Sequence, residues 1–208
     1  MANPSCRHAV AAALLLAIGA GTTASAQSYG TATQNPAAKA SETPKAASTL
    51  SSTDRDFMTK AAAGGMAEVQ LGELAQKNAA SDAVKQFGQR MAQDHGKAGE
   101  ELKQLAGAKG VQLPTALDRK HTQDMARLQK LSGADFDREY MKHMVDDHKK
   151  DVSEFQKQAK SGRDEQIKSY ASKTLPTLQE HLKQAQTVSD QVAGATTGKG
   201  AKPAQPAS

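Results

Sequence analysis

Three histidines and one glutamate in this chain sit where a helical protein ordinarily places leucine. Glu68, His95, His148 and His181 each fall on the apolar stripe of a stretch with helical periodicity. Burying a carboxylate or an unpartnered imidazole costs several kcal/mol unless a partner or a metal compensates. One carboxylate oxygen and three imidazole nitrogens together make a ligand set suited to Cu, Zn, Fe or Mn. Part of the pattern occurs twice. Phe87, Met91, Asp94 and His95 recur as Tyr140, Met144, Asp147 and His148, each 53 positions further on, and Leu102 and Ala106 are answered by Phe155 and Ala159. Two helices are therefore expected to present an inward histidine at the same level.

Asp94 and Asp147 are rotated about 100° from their histidine neighbours on a helix. They are expected to be accessory groups: outer partners of the ligands, hydrogen bonds across helices, or contacts with water. Met91 and Met144 stand four residues before His95 and His148 and share their faces. Thioether beside imidazole would suit copper in an oxidising compartment, and the alternative is methionine as core filler. For Glu68 and the histidines the alternative is a metal-free, hydrogen-bonded cluster. His121 and His143 lie off the stripes and are expected at the surface. Gly64, Gly65 and Gly72 around Glu68 imply close helix packing or room for a ligand. Di-iron bundles use paired Glu-x-x-His motifs, and none occurs here. With one carboxylate counted on the stripes, a mononuclear site fits better. No serine stands beside a stripe histidine to act as a nucleophile, so an enzyme is not the favoured reading.

What must position these residues is a set of long helices. Residues 1–26 have the form of a secretory signal: Arg7 and His8, an apolar run from Ala9 to Ala20, and a small-x-small cleavage site at Ala24-Ser25-Ala26. The run is too short to cross a bilayer comfortably. The only cysteine, Cys6, leaves with it. The mature chain is expected to be periplasmic or secreted, without disulfides or thiolate chemistry. Residues 27–52 and 193–208 are small and polar and are expected to be disordered. Residues 53–192 form one domain, with helices over about 54–79, 81–109, 134–160 and 163–192 and a short one over 117–131. Pro176 should kink the last long helix. The four stripe residues fall near mid-helix, and helices of similar length packed side by side share a midpoint, so the quartet should meet in one layer. Four long helices with one long connection give an all-α, ferritin-like four-helix bundle with a short extra helix in the connection. The net charge of +5 is dispersed among charges of both signs, and aromatic content is 3% without tryptophan. Nucleic-acid binding is thereby disfavoured, and only a weak, generic association with anionic envelope surfaces is implied.

The order and spacing of these residues resemble a known family. Ala67-Glu68-Val69, Leu71-Gly72, Leu74-Ala75, Phe87, Met91 to His95, Gly133 to Tyr140, Met144 to His148, Leu175-Pro176 and His181-Leu182 look like the exported bacterial family catalogued as domain of unknown function 4142. The resemblance covers about Thr53 to Gln191. It implies a ferritin-like bundle, often labelled an outer membrane protein, although no barrel strand or membrane helix is legible in the mature chain. It brings no established activity. Two functions therefore stand side by side: a periplasmic bundle holding a transition metal at its Glu/His cluster, or a non-enzymatic envelope stress or interaction protein whose polar layer is purely structural.

Overall fold

Glycine and serine break the foldable stretch close to the expected places, and the segments between them are helical. The computed structural model describes residues 50–198. It contains α1 (Ser52–Asn78), α2 (Asp82–Lys109), α3 (Arg119–Leu128), α4 (Gly133–Ser161) and α5 (Glu165–Gly198). Apart from one isolated bridge between Ala79 and Gly133, no β structure occurs among the described residues. The expected signal, most of the following linker and the end of the tail lie outside the described residues. Residues 193–198, expected to be disordered, continue α5 as helix. That helix also runs through Pro176 without a break.

The helix ends show how the chain is folded back on itself. Asn78 Nδ2 donates to the Leu131 carbonyl at 2.8 Å, joining the end of α1 to the approach of α4. Gln158 Nε2 donates to Asp54 at 2.6 Å, joining the end of α4 to the start of α1. Lys109 meets Asp164 at 2.6 Å, joining the end of α2 to the start of α5. Hence α1 runs antiparallel to α2 and α4, α5 does the same against α4 and α2, and the diagonal pair α2 and α4 is parallel. The connection carrying α3 returns the chain along the bundle. Such an arrangement is a ferritin-like four-helix bundle with an extra helix.

Two hairpins, α1–α2 and α4–α5, grip one another reciprocally. Asp54 in the first turn of α1 accepts hydrogen bonds from the backbone N–H groups of Arg163 and Asp164, both at 3.2 Å. Asp137 in α4 accepts from those of Ala80 and Ser81, at 3.1 and 2.9 Å. Each acid and its two amides stand 83 positions from their counterparts (Asp54 and Asp137, Ala80 and Arg163, Ser81 and Asp164). The same spacing relates buried Phe57 to Tyr140, Met58 to Met141, Val84 to Ile167 and Phe87 to Tyr170. It also exchanges the two apolar cores. Phe57 and Met58 lie in one with Ile167 and Tyr170, and their counterparts lie in the other. Ser81 stands at the N-cap of α2, but its hydroxyl makes no cap bond; the Asp137 carboxylate from the other hairpin occupies the nearby amides instead.

Backbones of α1 and α2 touch at Gly72 and Gly88. A methyl group on Gly88 would stand 2.8 Å from the Gly72 carbonyl and 2.6 Å from the Ala75 Cβ, and one on Gly72 would strike the Gly88 carbonyl. Close packing is therefore the role of Gly72. Around Gly64 and Gly65 no such crowding exists.

Candidate metal centre

The polar layer lies between the two apolar cores. His148 and Glu68 are fully buried, His181 is 1% exposed and His95 8%. The three imidazole centroids form a nearly equilateral triangle, with sides of 5.6, 5.4 and 5.4 Å. One ring nitrogen from each histidine lies within 4.8 Å of the other two. Donors around a single tetrahedral ion stand about 3.3 Å apart, given bonds of about 2.0–2.1 Å. Small side-chain rotations bridge that difference.

Hydrogen bonding decides which nitrogens remain. His148 Nδ1 lies 2.9 Å from the Met144 carbonyl, an acceptor only, so it carries the proton and leaves Nε2 as a lone pair. His181 Nε2 lies 2.9 Å from Asp94 Oδ2, which leaves Nδ1. Asp94 is itself held by Arg90 at 3.3 Å. His148 Nε2, His181 Nδ1 and His95 Nε2 are buried without hydrogen-bond partners. Burial holds the His95 imidazolium well below the ordinary range, helped by His148 and His181, and depresses His148 as well. It drives His181 down to about 4 despite Asp94. All three rings are therefore neutral at pH 7, the state in which imidazole binds metal.

Glu68 comes to the same layer beside His148, with Oε1 3.6 Å from the Nδ1 already committed to Met144. It falls in a second group: Glu68, Asp147 and Asp151 each offer a carboxylate oxygen within 4.8 Å of the other two. The single stripe carboxylate expected from the sequence is thus joined by two more. Asp147 and Asp151 are four residues apart and share a face of α4, a spacing present in the sequence. The buried face of a bundle helix exceeds 100°, which is wide enough to take in Asp147, His148 and Asp151 together. Burial, with the charge of Asp147, lifts Glu68 well above the usual carboxylate range. Burial, with Glu68 and Asp147, pushes Asp151 up to about 7. Lys120 of α3 approaches Asp147 at 3.9 Å.

The accessory residues divide. Asp94 serves His181 of α5 rather than its own neighbour His95, an interhelical bond of the kind expected. Met91 and Met144 are fully buried in an apolar cluster with Leu71, Phe87 and Tyr140, and Met144 lends its carbonyl to His148. The surface expectation fails for His143. It is half-buried, with a covered Nε2 that has no hydrogen-bond partner, because α3 lies against this part of α4. His121 is also partly covered and pairs with Asp118 at 3.0 Å.

A family model, described as domain of unknown function (DUF4142), matches residues 39–188. The chain belongs to the DUF4142 family. No curated protein matches it in sequence. Solved structures similar to this DUF4142 chain include a DUF305 fragment from Deinococcus radiodurans, at 11% identity and TM-score 0.60, spanning 68% of this chain and 98% of that one. CopM in its Cu(II)-bound form is 14% identical with TM-score 0.57, spanning 66% and 96%. A DUF305 protein from Streptomyces coelicolor, described as secreted, is 13% identical with TM-score 0.51, spanning 74% and 96%. At these identities the likeness is one of fold.

The layer of this DUF4142 bundle is reachable from outside. A cleft of about 260 Å³ between α2 and α5 is lined by Asp94, His95, Ala98, Thr174, Thr177 and His181. A void of about 20 Å³ beside His95 is bordered by Gly64, Gly65 and Asp151, room for about one water molecule. No described helix is long and apolar enough to cross a membrane.

Proposed function

We propose that this DUF4142 protein is an exported helical bundle that holds a transition-metal ion at His95, His148 and His181. What carries the reading is that three buried, neutral imidazoles converge with one nitrogen of each left over. The Met144 carbonyl and the Asp94 carboxylate fix the tautomers of His148 and His181, as outer partners of metal-binding histidines do. An all-imidazole set suits copper and zinc best among Cu, Zn, Fe and Mn. CopM, a Cu(II)-binding protein of similar fold, supports placing copper first. Glu68 stands behind His148 as an outer group, and Met91 and Met144 wall the layer. The α2–α5 cleft gives the ion its route in and leaves one side of it open to a further ligand. Export through residues 1–26 would place the protein where copper and zinc are captured from the envelope, and no catalytic step is assigned.

Elemental analysis of tag-free mature protein tests this. One equivalent of copper or zinc is expected, lost in His148→Ala and His181→Ala. Loading at 100 times Kd should add about 2.7 kcal/mol of stability. Metal-free protein whose melting temperature ignores both ions would instead favour a purely structural layer, in which the Asp94–His181 bond sets the register of α2 against α5.

A further inference from the structure

None of the three imidazole ligands of the proposed centre comes from Glu68, Asp147 or Asp151, and these carboxylates define a different chemistry. Glu68 is fully buried, and neither of its oxygens has a hydrogen-bond partner. A side chain in that state forfeits the hydration of both oxygens without replacement. Its oxygens face acidic groups: one carboxylate oxygen from each of Glu68, Asp147 and Asp151 lies within 4.8 Å of the other two. Glu68 and Asp151 also stand 83 positions apart, the spacing that relates the two hairpins. Each hairpin thus delivers an acid from a corresponding position of its first helix.

We propose that Glu68, Asp147 and Asp151 form a second cation site, selective for a hard divalent ion such as Mn²⁺, beside the histidine centre. Three carboxylate oxygens without nitrogen or sulfur are the donor set of Mg²⁺, Ca²⁺ and Mn²⁺ rather than of copper. Lys120 and Lys150 supply the positive charge near this group, each with Nζ 3.9 Å from Asp147 Oδ1, and Lys120 also meets Asp124 at 3.0 Å. Their side chains are 56% and 63% exposed, so both can swing aside without crossing the core. An opening of about 170 Å³ between α3 and α4, lined by Lys120, Asp124, His143, Asp146 and Asp147, leads from solvent to Asp147. This entrance is distinct from the α2–α5 cleft serving the histidines. The second site does not depend on the first being loaded.

The test titrates MnCl₂ into tag-free mature protein already saturated with Zn²⁺, reading free Mn²⁺ by electron paramagnetic resonance. One equivalent should bind despite the zinc, and Asp151→Asn should weaken it at least about tenfold while the zinc stoichiometry stays unchanged. Paramagnetic broadening in the wild-type protein locates the ion even if that variant fails to fold. It should centre on the amides around Glu68 and around Asp147 to Asp151. Absence of Mn²⁺ binding at millimolar concentration, displacement of Mn²⁺ by zinc, or broadening centred elsewhere overturns the proposal. Mn²⁺ bound without any zinc site would leave it standing and remove the three-histidine reading. Zinc bound without Mn²⁺ would do the reverse.

Discussion

Each histidine of the layer is kept uncharged chiefly by lack of water, and this makes the site sensitive to acid in a predictable direction. His181 ionises at about 4 in the fold against 6.5 when unfolded. Below 6.5 the unfolded chain takes up a proton that the fold refuses. Stability from neutral His181 is therefore complete above 6.5 and drains away as pH falls toward 4. Asp151 works in the opposite sense, at about 7 in the fold against 3.8 unfolded. As pH rises from about 4 to 7 the unfolded chain releases a proton that the fold retains, so Asp151 costs stability increasingly over that range. Thermal melts of metal-free protein should show Asp151→Asn gaining several degrees on wild type between pH 4 and 7 and levelling off above. His181→Gln should close its gap to wild type as pH drops from 6.5 to 4. Parallel curves across both windows would mean that the two groups titrate as they do in water.

At the scale of the helices, the tightest constraint is the contact between α1 and α2. Alanine at Gly72 would drive a methyl group into a backbone carbonyl that cannot swing aside. Gly72→Ala should therefore cost about 1–3 kcal/mol, read by chemical denaturation, whereas Gly64→Ala, which meets nothing, should be neutral or mildly stabilising. A Gly72→Ala protein as stable as wild type would place the helices further apart than described. Most of this level was legible beforehand. Gly110 ends α2 in a left-handed conformation, a break visible as a residue type, whereas α1 is capped by Ser51, ahead of the expected start at about residue 54. Ser81 has the residue type of a helix cap, yet the group that satisfies its turn comes from Asp137, 56 residues away. Local sequence cannot show a tertiary cap. The covered state of His143 was hidden for a similar reason, since it depends on where α3 lies. Glu68, His95, His148 and His181 were legible because a polar residue on an apolar stripe is conspicuous. Asp151 is less conspicuous because it lies at the border of that stripe.

For the molecule as a whole, the 53-residue recurrence in the sequence reflects α2 and α4 running parallel across a diagonal at matched height. The 83-residue correspondence is the architectural one, and it is faint because it relates apolar residues of differing type, such as Phe57 with Tyr140 and Val84 with Ile167. Two hairpins that hold each other by interchangeable carboxylate clasps need not belong to one chain. The 28 residues of α2 extend about 42 Å, and the segment carrying α3 must cover that length for α4 to begin at the opposite end. Excising residues 115–130 would leave a tether able to reach only about 25 Å. Such a protein could satisfy Asp54 and Asp137 only by lending its second half to a neighbour. Light scattering should then report an intertwined dimer, and a folded monomer would show that the return passage is dispensable. The short α3 segment thus has a duty beyond covering the acids: it makes this bundle self-sufficient.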